Sequence, residues 1–185
     1  MYRAVALAAL RERADPSDEE VIKQTVETLQ VSFENGRVTL NGEDVSDQIL
    51  SSTVAAAAPL VADHSTVRAF LTEQQRRYAE GRDVVTEGRD QGTIVFPVAD
   101  FKFFLVASAE ERARRRWEEL SARGEPLTYE EVLNQLRRRD DHDLNRPIGR
   151  LQQPDGAITV HSDGLTANEV IDRLATLVGS PEDHS

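Results

Sequence analysis

Three short apolar runs, each of which marks a predicted buried strand, are separated by stretches that have the periodicity of helices. The runs begin at Val84 (VV), at Phe101 (FKFFLV) and at Ala157 (AITV). Strands joined by helical crossovers form parallel sheets, because the crossover returns the chain to the end of the sheet where it started. The pattern therefore predicts an α/β protein in which helices cover both faces of a parallel sheet.

Turn residues mark a hairpin in the first half of the chain. Residues 29–33 and 37–40 are predicted to be two short strands, with Asn35-Gly36 as the turn signal between them. A helical stretch from Ser46 to residue 61 follows, and Pro59 is expected to kink or end it. Further helices are predicted over residues 1–13, from the capping box that begins at Ser17, from Asp63 or Ser65, from Ser108, from Thr128, and over residues 166–178.

The composition of the 185 residues narrows the classes of function. The net charge of −11 argues against general nucleic-acid binding, and the absence of cysteine excludes disulfides, thiolate nucleophiles and cysteine-based metal sites. We expect a cytoplasmic protein, since no apolar run has the length of a membrane span and the first residues show no signal peptide. Ten arginines lie within residues 112–150. Such a cluster suits a small polyanion, although helix faces with solvent-exposed ion pairs have the same composition.

An arginine and an aspartate stand side by side after the first of the apolar runs. Residues 84–93 read VVTEGRDQGT, which predicts a strand that ends at Gly88 and presents Arg89 and Asp90 at its carboxyl end. Open α/β sheets bind ligands outside the carboxyl ends of their strands. Arginine offers a planar fork that matches phosphate oxygens, and aspartate accepts hydrogen bonds from an amino group or a sugar hydroxyl. A turn with a solvent-exposed ion pair explains the same residues equally well.

A second polar cluster closes a predicted helix at residues 137–146. Arg139, Asp143 and Arg146 are spaced i, i+4 and i+7, which puts the three side chains on one helix face. One interpretation is a salt-bridged surface helix. The other is a lid whose arginines clamp phosphates, because phosphoryl transfer depends on positioning and on the neutralisation of charge.

Five stretches of the chain form a specific set when they are taken together. They are MYRAVAL (1–7), GEDVS (42–46), GRDQGT with the following FP (88–97), ASAEERA (107–113) and RDDHDLNR (139–146). In order and spacing they resemble the bacterial cytidylate kinases, nucleoside monophosphate kinases with a P-loop kinase-like three-layer fold. The resemblance runs from Met1 to about Val178 and implies one domain, 1–178, and a flexible tail, 179–185. Within the domain it implies a CMP-binding insertion over residues 29–61 and an arginine-rich lid over residues 112–146.

The resemblance implies a kinase that phosphorylates CMP or dCMP with ATP in pyrimidine metabolism, with Mg²⁺ bound to the ATP. It implies a monomer with no nucleic-acid or membrane partner and no metal held by the protein. Arg3 would hold the CMP phosphate, and Arg68 and Asp90 would bind the cytosine ring. Arg89 would contact the acceptor phosphate, Arg139 and Asp143 would approach the sugar and phosphates, and Arg146 would bridge phosphates when the lid closes. The catalytic arginines are then Arg89, Arg139 and Arg146, while Arg112, Arg115 and Arg116 would meet the ATP phosphates.

The chain departs from the family pattern at its start and near the expected base site. Family members begin with a strand and a Gly-rich P-loop, and no G-x-x-x-x-G-K-[ST] pattern occurs in these 185 residues. Either Met1 is a misassigned internal methionine or the gene is truncated, and we expect no kinase activity unless the first strand and the P-loop are restored. The alternative function is that of a non-catalytic CMP-binding remnant or an inactive fragment. Pro59 also stands where relatives often carry a serine, and Leu50 where an arginine is frequent.

Overall fold

The computed structural model describes residues 1–34, 36–145 and 149–179. The chain divides into two compact units, Met1–Glu87 and Gly88–Ser185, which are described separately below. The expected domain over residues 1–178, with its insertion and lid, stays a prediction, and the expected tail lies outside the described residues apart from residue 179.

Four helices form most of the first unit. They are α1 (Tyr2–Arg11), α2 (Glu19–Thr28), α3 (Ser52–Ala62) and α4 (Ser65–Ala79). Residues Ala4 to Ala9 of α1 are all buried, because small side chains let the neighbouring helices pack closely around it. The core of this unit consists of α1 together with apolar residues such as Ile22, Val61 and Leu71, which are fully buried.

The predicted hairpin is present and carries one additional short strand. The strands are β1 (Val31–Glu34), β2 (Arg37–Leu40) and β3 (Glu43–Asp44), all antiparallel, with Val31 opposite Leu40. Gly36 in the turn has a φ of 74°, a left-handed conformation that glycine adopts without strain, while Asn35 lies outside the described residues. Both predicted strands are thus confirmed, the second with the predicted bounds and the first shifted to Val31–Glu34, and β3 was not predicted.

The helical stretch predicted from Ser46 contains a short 3₁₀ helix, Gln48–Leu50, and its α-helix, α3, begins at Ser52, six residues after the predicted start. The Ser46 hydroxyl donates to Asp44 at 2.7 Å and accepts from the amide of Val38 at 2.9 Å, so it stabilises the hairpin. Ser51 is the true cap of α3 and accepts from the amide of Val54. The expectation that Pro59 ends or kinks the helix is wrong about its end, because α3 continues to Ala62. We attribute the continuation to the burial of Val54, Ala57 and Val61 on one face of α3.

Two other predicted caps are also wrong. Asp18 caps α2 and accepts from the amides of Glu20 and Val21, whereas Ser17 binds back to Asp15. The residue at the N-cap position of α4 is His64, where the sequence predicted Asp63 or Ser65, and the His64 side chain makes no capping hydrogen bond. Several Ser, Thr and Asp side chains near a helix start compete for the same amides, and the sequence pattern does not rank them.

The second unit contains the parallel strand pair and three helices. Strands β4 (Phe103–Val106) and β5 (Ile158–His161) pair in parallel, with Phe103 opposite Ile158. The helices are α5 (Ala109–Ala122), α6 (Tyr129–Asn145) and α7 (Ala167–Gly179). The α/β class, the parallel pairing and the capping box at Thr128 are therefore confirmed. Of the box predicted at Ser108 only the cap is present: the Ser108 hydroxyl accepts from the amide of Glu111, but the Ser108 amide donates to Asp163 instead of Glu111. Helices α5 and α6 enclose a small apolar core of their own, formed by Ala113, Leu120, Val132 and Leu133.

The prediction of a strand at Val84 and Val85 is wrong. Among the described residues neither valine belongs to a strand, and Val85 is 104% exposed while Val84 is 39% exposed. A two-residue β-branched run makes a strand only where a neighbouring strand supplies hydrogen bonds, and no described strand pairs with it. Within the described part of the chain no helix is both long and apolar enough to cross a membrane.

Candidate active site

Arg89 and Asp90 lie where the chain enters the second unit and bends sharply. A single π-type turn, Gln91–Val95, follows Asp90, whose carbonyl oxygen accepts from the amides of Ile94 at 2.9 Å and Val95 at 3.2 Å. Gly92 in this turn lies against Pro154, and a Cβ atom added there would come within 2.7 Å of the proline Cγ. The glycine lets this turn pack closely against the proline, which positions the segment that carries Arg89 and Asp90.

Two arginines of the second unit converge on one buried carboxylate. Arg89 Nε lies 3.0 Å from Asp143 Oδ2, and Arg139 Nε lies 3.8 Å from the same oxygen. The Asp143 side chain is only 7% exposed, whereas those of Arg89 and Arg139 are 40% and 66% exposed. Two guanidinium groups against one carboxylate leave one excess positive charge, and the exposed arginines can reach an anion in solvent.

Helix α6 and the segment after it hold Asp143 in place. Asp143 is one turn beyond Arg139 on α6, and the two side chains share one helix face, as their i, i+4 spacing predicted. The carbonyl oxygen of Asp143 accepts from the amide of Leu151 at 2.9 Å, so the returning chain is tied to the end of α6. Arg146, the third residue predicted on this helix face, lies outside the described residues.

Asp90 is a buried polar residue next to this cluster in the sequence. It is only 6% exposed. A buried carboxylate accepts hydrogen bonds strongly, because its alternative is an unsatisfied charge in a poorly hydrated environment. The binding of the cytosine ring, which the resemblance implies for Asp90, stays a prediction.

The two predicted site residues of the first unit lie close to the start of α1. Arg68 is 6% exposed, donates from Nε to the carbonyl oxygen of Ala62 at 2.7 Å, and has its guanidinium 5.6 Å from the ring centre of Tyr2. Arg3 is exposed and donates to the carbonyl oxygen of Ile49 at 3.1 Å. Hydrogen bonding and the aromatic face fix the orientation of Arg68, while Arg3 keeps an exposed guanidinium.

The three arginines assigned to ATP phosphates all take part in contacts on α5. Arg112 forms a bidentate ion pair with Asp140, at 2.9 and 2.7 Å, which raises the pKa of Arg112. Arg115 donates to Glu111 at 2.8 Å and also to the carbonyl oxygen of Ser162. The exposed Arg116 donates to Glu119 at 2.7 Å. Their role towards ATP stays a prediction.

Asp140, the partner of Arg112, has no role among those predicted from the sequence. Its place three residues before Asp143 puts both carboxylates on one side of α6, which is the signal that the sequence offered. Its partner on α5 is 28 residues away in sequence, and spacing alone does not identify such a pair.

The second unit also has a polar cavity of about 520 Å³ beside the π-type turn. Its lining includes Gly92, Thr93, Lys102, Arg150, Gln153 and Asp155. Lys102 directly precedes β4 and Asp155 lies three residues before the start of β5, so the cavity lies towards the amino ends of these strands. In the described ranges no group of three or more His, Cys, Asp or Glu side chains is arranged to hold a metal ion.

Comparison with known proteins identifies the family. The family model described as cytidylate kinase matches residues 1–180. The chain belongs to the cytidylate kinase family. A cytidylate kinase from Caldanaerobacter subterraneus subsp. tengcongensis is 45% identical over 174 residues, covering 94% of this chain and 78% of that protein.

Two further cytidylate kinases agree with this assignment. The protein from Rhodopirellula baltica is 41% identical over 178 residues, which cover 96% of this chain and 78% of the Rhodopirellula protein. The protein from Geobacter sulfurreducens is 41% identical over 186 residues, which cover 98% of this chain and 80% of the Geobacter protein. The resemblance stated from the five sequence stretches is confirmed, and with it the class of the protein, a kinase and therefore a transferase.

Proposed function

We propose that this member of the cytidylate kinase family binds CMP or dCMP and takes part in its ATP-dependent phosphorylation to the diphosphate. The observation that carries the proposal is the convergence of Arg89 and Arg139 on the buried Asp143. Arg89 also directly precedes Asp90, a second buried carboxylate. The names of the relatives support cytidine monophosphate as the acceptor.

The arginines are proposed to act on the phosphates. Arg89 contacts the acceptor phosphate, and Arg139 neutralises the charge that accumulates between acceptor and donor. Asp143 is proposed to hold Arg89 and Arg139 on one side of the site before substrate binds, where Arg139 and Asp143 approach the sugar and the phosphates. Arg3 and Arg146 are proposed to complete the phosphate contacts.

The carboxylate of Asp90 and the guanidinium of Arg68 are proposed to select the base. The exocyclic amino group of cytosine donates hydrogen bonds, whereas uracil has a carbonyl oxygen at the equivalent position. A buried carboxylate therefore accepts from cytosine and repels uracil. Arg68 has a fixed side chain that can donate to the ring acceptors.

The reaction needs little covalent chemistry from the protein. An anionic oxygen of the CMP phosphate attacks the γ-phosphorus of ATP in line, the bond from that phosphorus to the β-γ bridging oxygen breaks, and ADP leaves with that oxygen. No general base is required, because the attacking oxygen is already deprotonated. Mg²⁺ enters as part of the ATP substrate, and its charge adds to that of the arginines.

The second candidate function is the binding of CMP without phosphoryl transfer. Binding and turnover are therefore measured separately. Calorimetry gives the CMP affinity of the chain, and a coupled assay of ADP release gives turnover. Binding without turnover supports the second candidate, and CMP-dependent ADP release supports the first.

The decisive test of base selection is Asp90→Asn, with CMP and UMP titrated into each protein. We expect CMP affinity to fall by roughly fivefold, because the neutral amide oxygen of asparagine accepts a weaker hydrogen bond from the cytosine amino group than a carboxylate does. UMP affinity should not fall, because the amide of asparagine can donate to the uracil oxygen. Asp100→Asn, an exposed aspartate in the same unit, is the matched control and should change neither affinity. Equal losses for CMP and UMP would contradict the assignment of Asp90.

A further inference from the structure

The last two turns of α6 are positioned by polar contacts, whereas its first turns pack against the apolar side of α5. The apolar core between α5 and α6 involves Val132 and Leu133 near the start of the helix, with Leu136 partly buried. Beyond Leu136 the only apolar side chain in α6 is Leu144, which is 53% exposed. Apolar packing therefore positions the beginning of α6 but not the end, where Asp143 lies.

Arg112 and Asp140 make the best-formed polar contact along this stretch. Arg112 Nη1 and Nη2 donate to Asp140 Oδ1 and Oδ2 at 2.9 and 2.7 Å, a geometry in which two parallel bonds fix the direction of both side chains. Arg112 Nε donates to the carbonyl oxygen of Ala107 at 3.2 Å, directly after β4. Arg112 thus joins the carboxyl end of β4 to the fourth turn of α6 and uses at least three of its five N–H groups in doing so.

We propose that Arg112 and Asp140 are positioning residues that set the rotation of α6 and so keep Asp143 in reach of Arg89. Asp140 is one turn before Asp143 on the same side of the helix, and a rotation of α6 about its axis moves both carboxylates together. The effect on nucleotide affinity rests on the proposed function, whereas the effect on the helix does not. In this proposal Arg112 affects CMP binding only through the positions of Asp143 and Arg89. It does not make the contact with the ATP phosphates that the family resemblance had implied.

The test compares Asp140→Asn with Asp141→Asn, which is the same change one residue along, on an exposed aspartate. We expect Asp140→Asn to speed hydrogen exchange at the amide of Leu151, which bonds to the Asp143 carbonyl oxygen, by about fivefold. CMP affinity should fall by a similar factor. Asp141→Asn should leave both within about twofold of the unchanged protein. Exchange at Leu151 that is the same in both variants overturns the proposal.

Arg112→Lys provides the second variant, because lysine keeps the charge but cannot make the bidentate contact. We expect it to reproduce the faster exchange and the weaker CMP binding, and to add nothing when combined with Asp140→Asn. If Arg112→Lys instead weakens ATP binding and leaves exchange at Leu151 unchanged, Arg112 contacts ATP phosphates and the proposal is wrong.

The exchange measurement separates this proposal from the proposed function. If the unchanged chain does not bind CMP, the proposed function fails while Leu151 still reports the position of α6. The amide of Ser162, which bonds to the carbonyl oxygen of Val106 at the end of the β4–β5 pair, serves as an internal reference. Faster exchange at Leu151 with unchanged exchange at Ser162 supports local positioning, and equal acceleration at both amides overturns it in favour of general destabilisation.

Discussion

Gly92→Ala is the substitution whose effect the structure predicts most directly. An added Cβ would lie 2.7 Å from Pro154 Cγ and 3.1 Å from Pro154 Cβ. Non-bonded carbon atoms prefer separations of about 3.5–4.0 Å, so one of the two segments must move by close to 1 Å. The proline ring cannot rotate out of the way, because its side chain is closed onto the backbone.

The magnitude follows from two opposing terms. Overpacking of this kind costs about 1–3 kcal/mol, while replacing glycine with alanine stabilises by about 0.4–1 kcal/mol through the unfolded chain. Gly92 does not have a left-handed φ, so alanine adds no backbone strain there. We therefore expect a net loss of about 1–2 kcal/mol in the free energy of unfolding, together with weaker CMP binding because the turn carries Asp90.

Gly88→Ala is the matched control for this substitution. A Cβ at Gly88 would meet Gln91 Cγ at 2.9 Å, but the glutamine side chain is flexible and can turn away. Urea titration followed by the fluorescence of Trp117, the only tryptophan in the chain, measures the stability of both variants. Pro154→Ala should recover most of the loss when it is combined with Gly92→Ala. The reasoning is refuted if Gly92→Ala is as stable as the unchanged protein, or if Gly88→Ala costs as much.

Two further predictions concern charge and exposure. Hydrogen bonds from Arg37 and then Ser46 lower the pKa of Asp44 from 3.8 to about 2. The stability that this carboxylate contributes is present above its unfolded pKa and is lost as the pH falls from about 4 to 2, so Asp44→Asn should flatten the acid limb of a pH–stability profile. A profile that is unchanged by Asp44→Asn would count against the contact with Arg37. Val85→Lys should change the free energy of unfolding by no more than about 0.5 kcal/mol, because Val85 is fully exposed, whereas a loss of several kcal/mol in urea titration would restore the predicted strand.

The sequence predicted the elements whose signals are local. The apolar runs that end at Val106 and Val160 form most of β4 and β5, and β1 and β2 form the predicted hairpin with Gly36 in its turn, because composition and turn chemistry act over a few residues. Ser46 was placed at a helix start, but its hydroxyl has partners in the hairpin that no spacing rule identifies. The strand at Val85 failed for a related reason, since a strand requires a partner that local sequence does not supply.

The candidate site divides in the same way. Arg139 and Asp143 share a helix face, and their i, i+4 spacing predicted the contact. The contact between Arg89 and Asp143 joins residues 54 positions apart and depended on the resemblance to the family for its interpretation. The bidentate contact of Arg112 with Asp140 was missed, because arginines that pair across two helices look the same in sequence as those that pair along one.

The parallel pairing of β4 with β5 bears on the order in which the second unit folds. Phe103 pairs with Ile158, so the sheet closes a loop of 55 residues, whereas α5 and α6 meet across the short connection between Ala122 and Tyr129. Contacts between residues close in sequence form with little loss of chain entropy, and distant pairings form more slowly. The helical hairpin can therefore assemble first and shorten the effective distance between the two strands, which makes the segment with Asp140 and Asp143 a scaffold on which the sheet is completed.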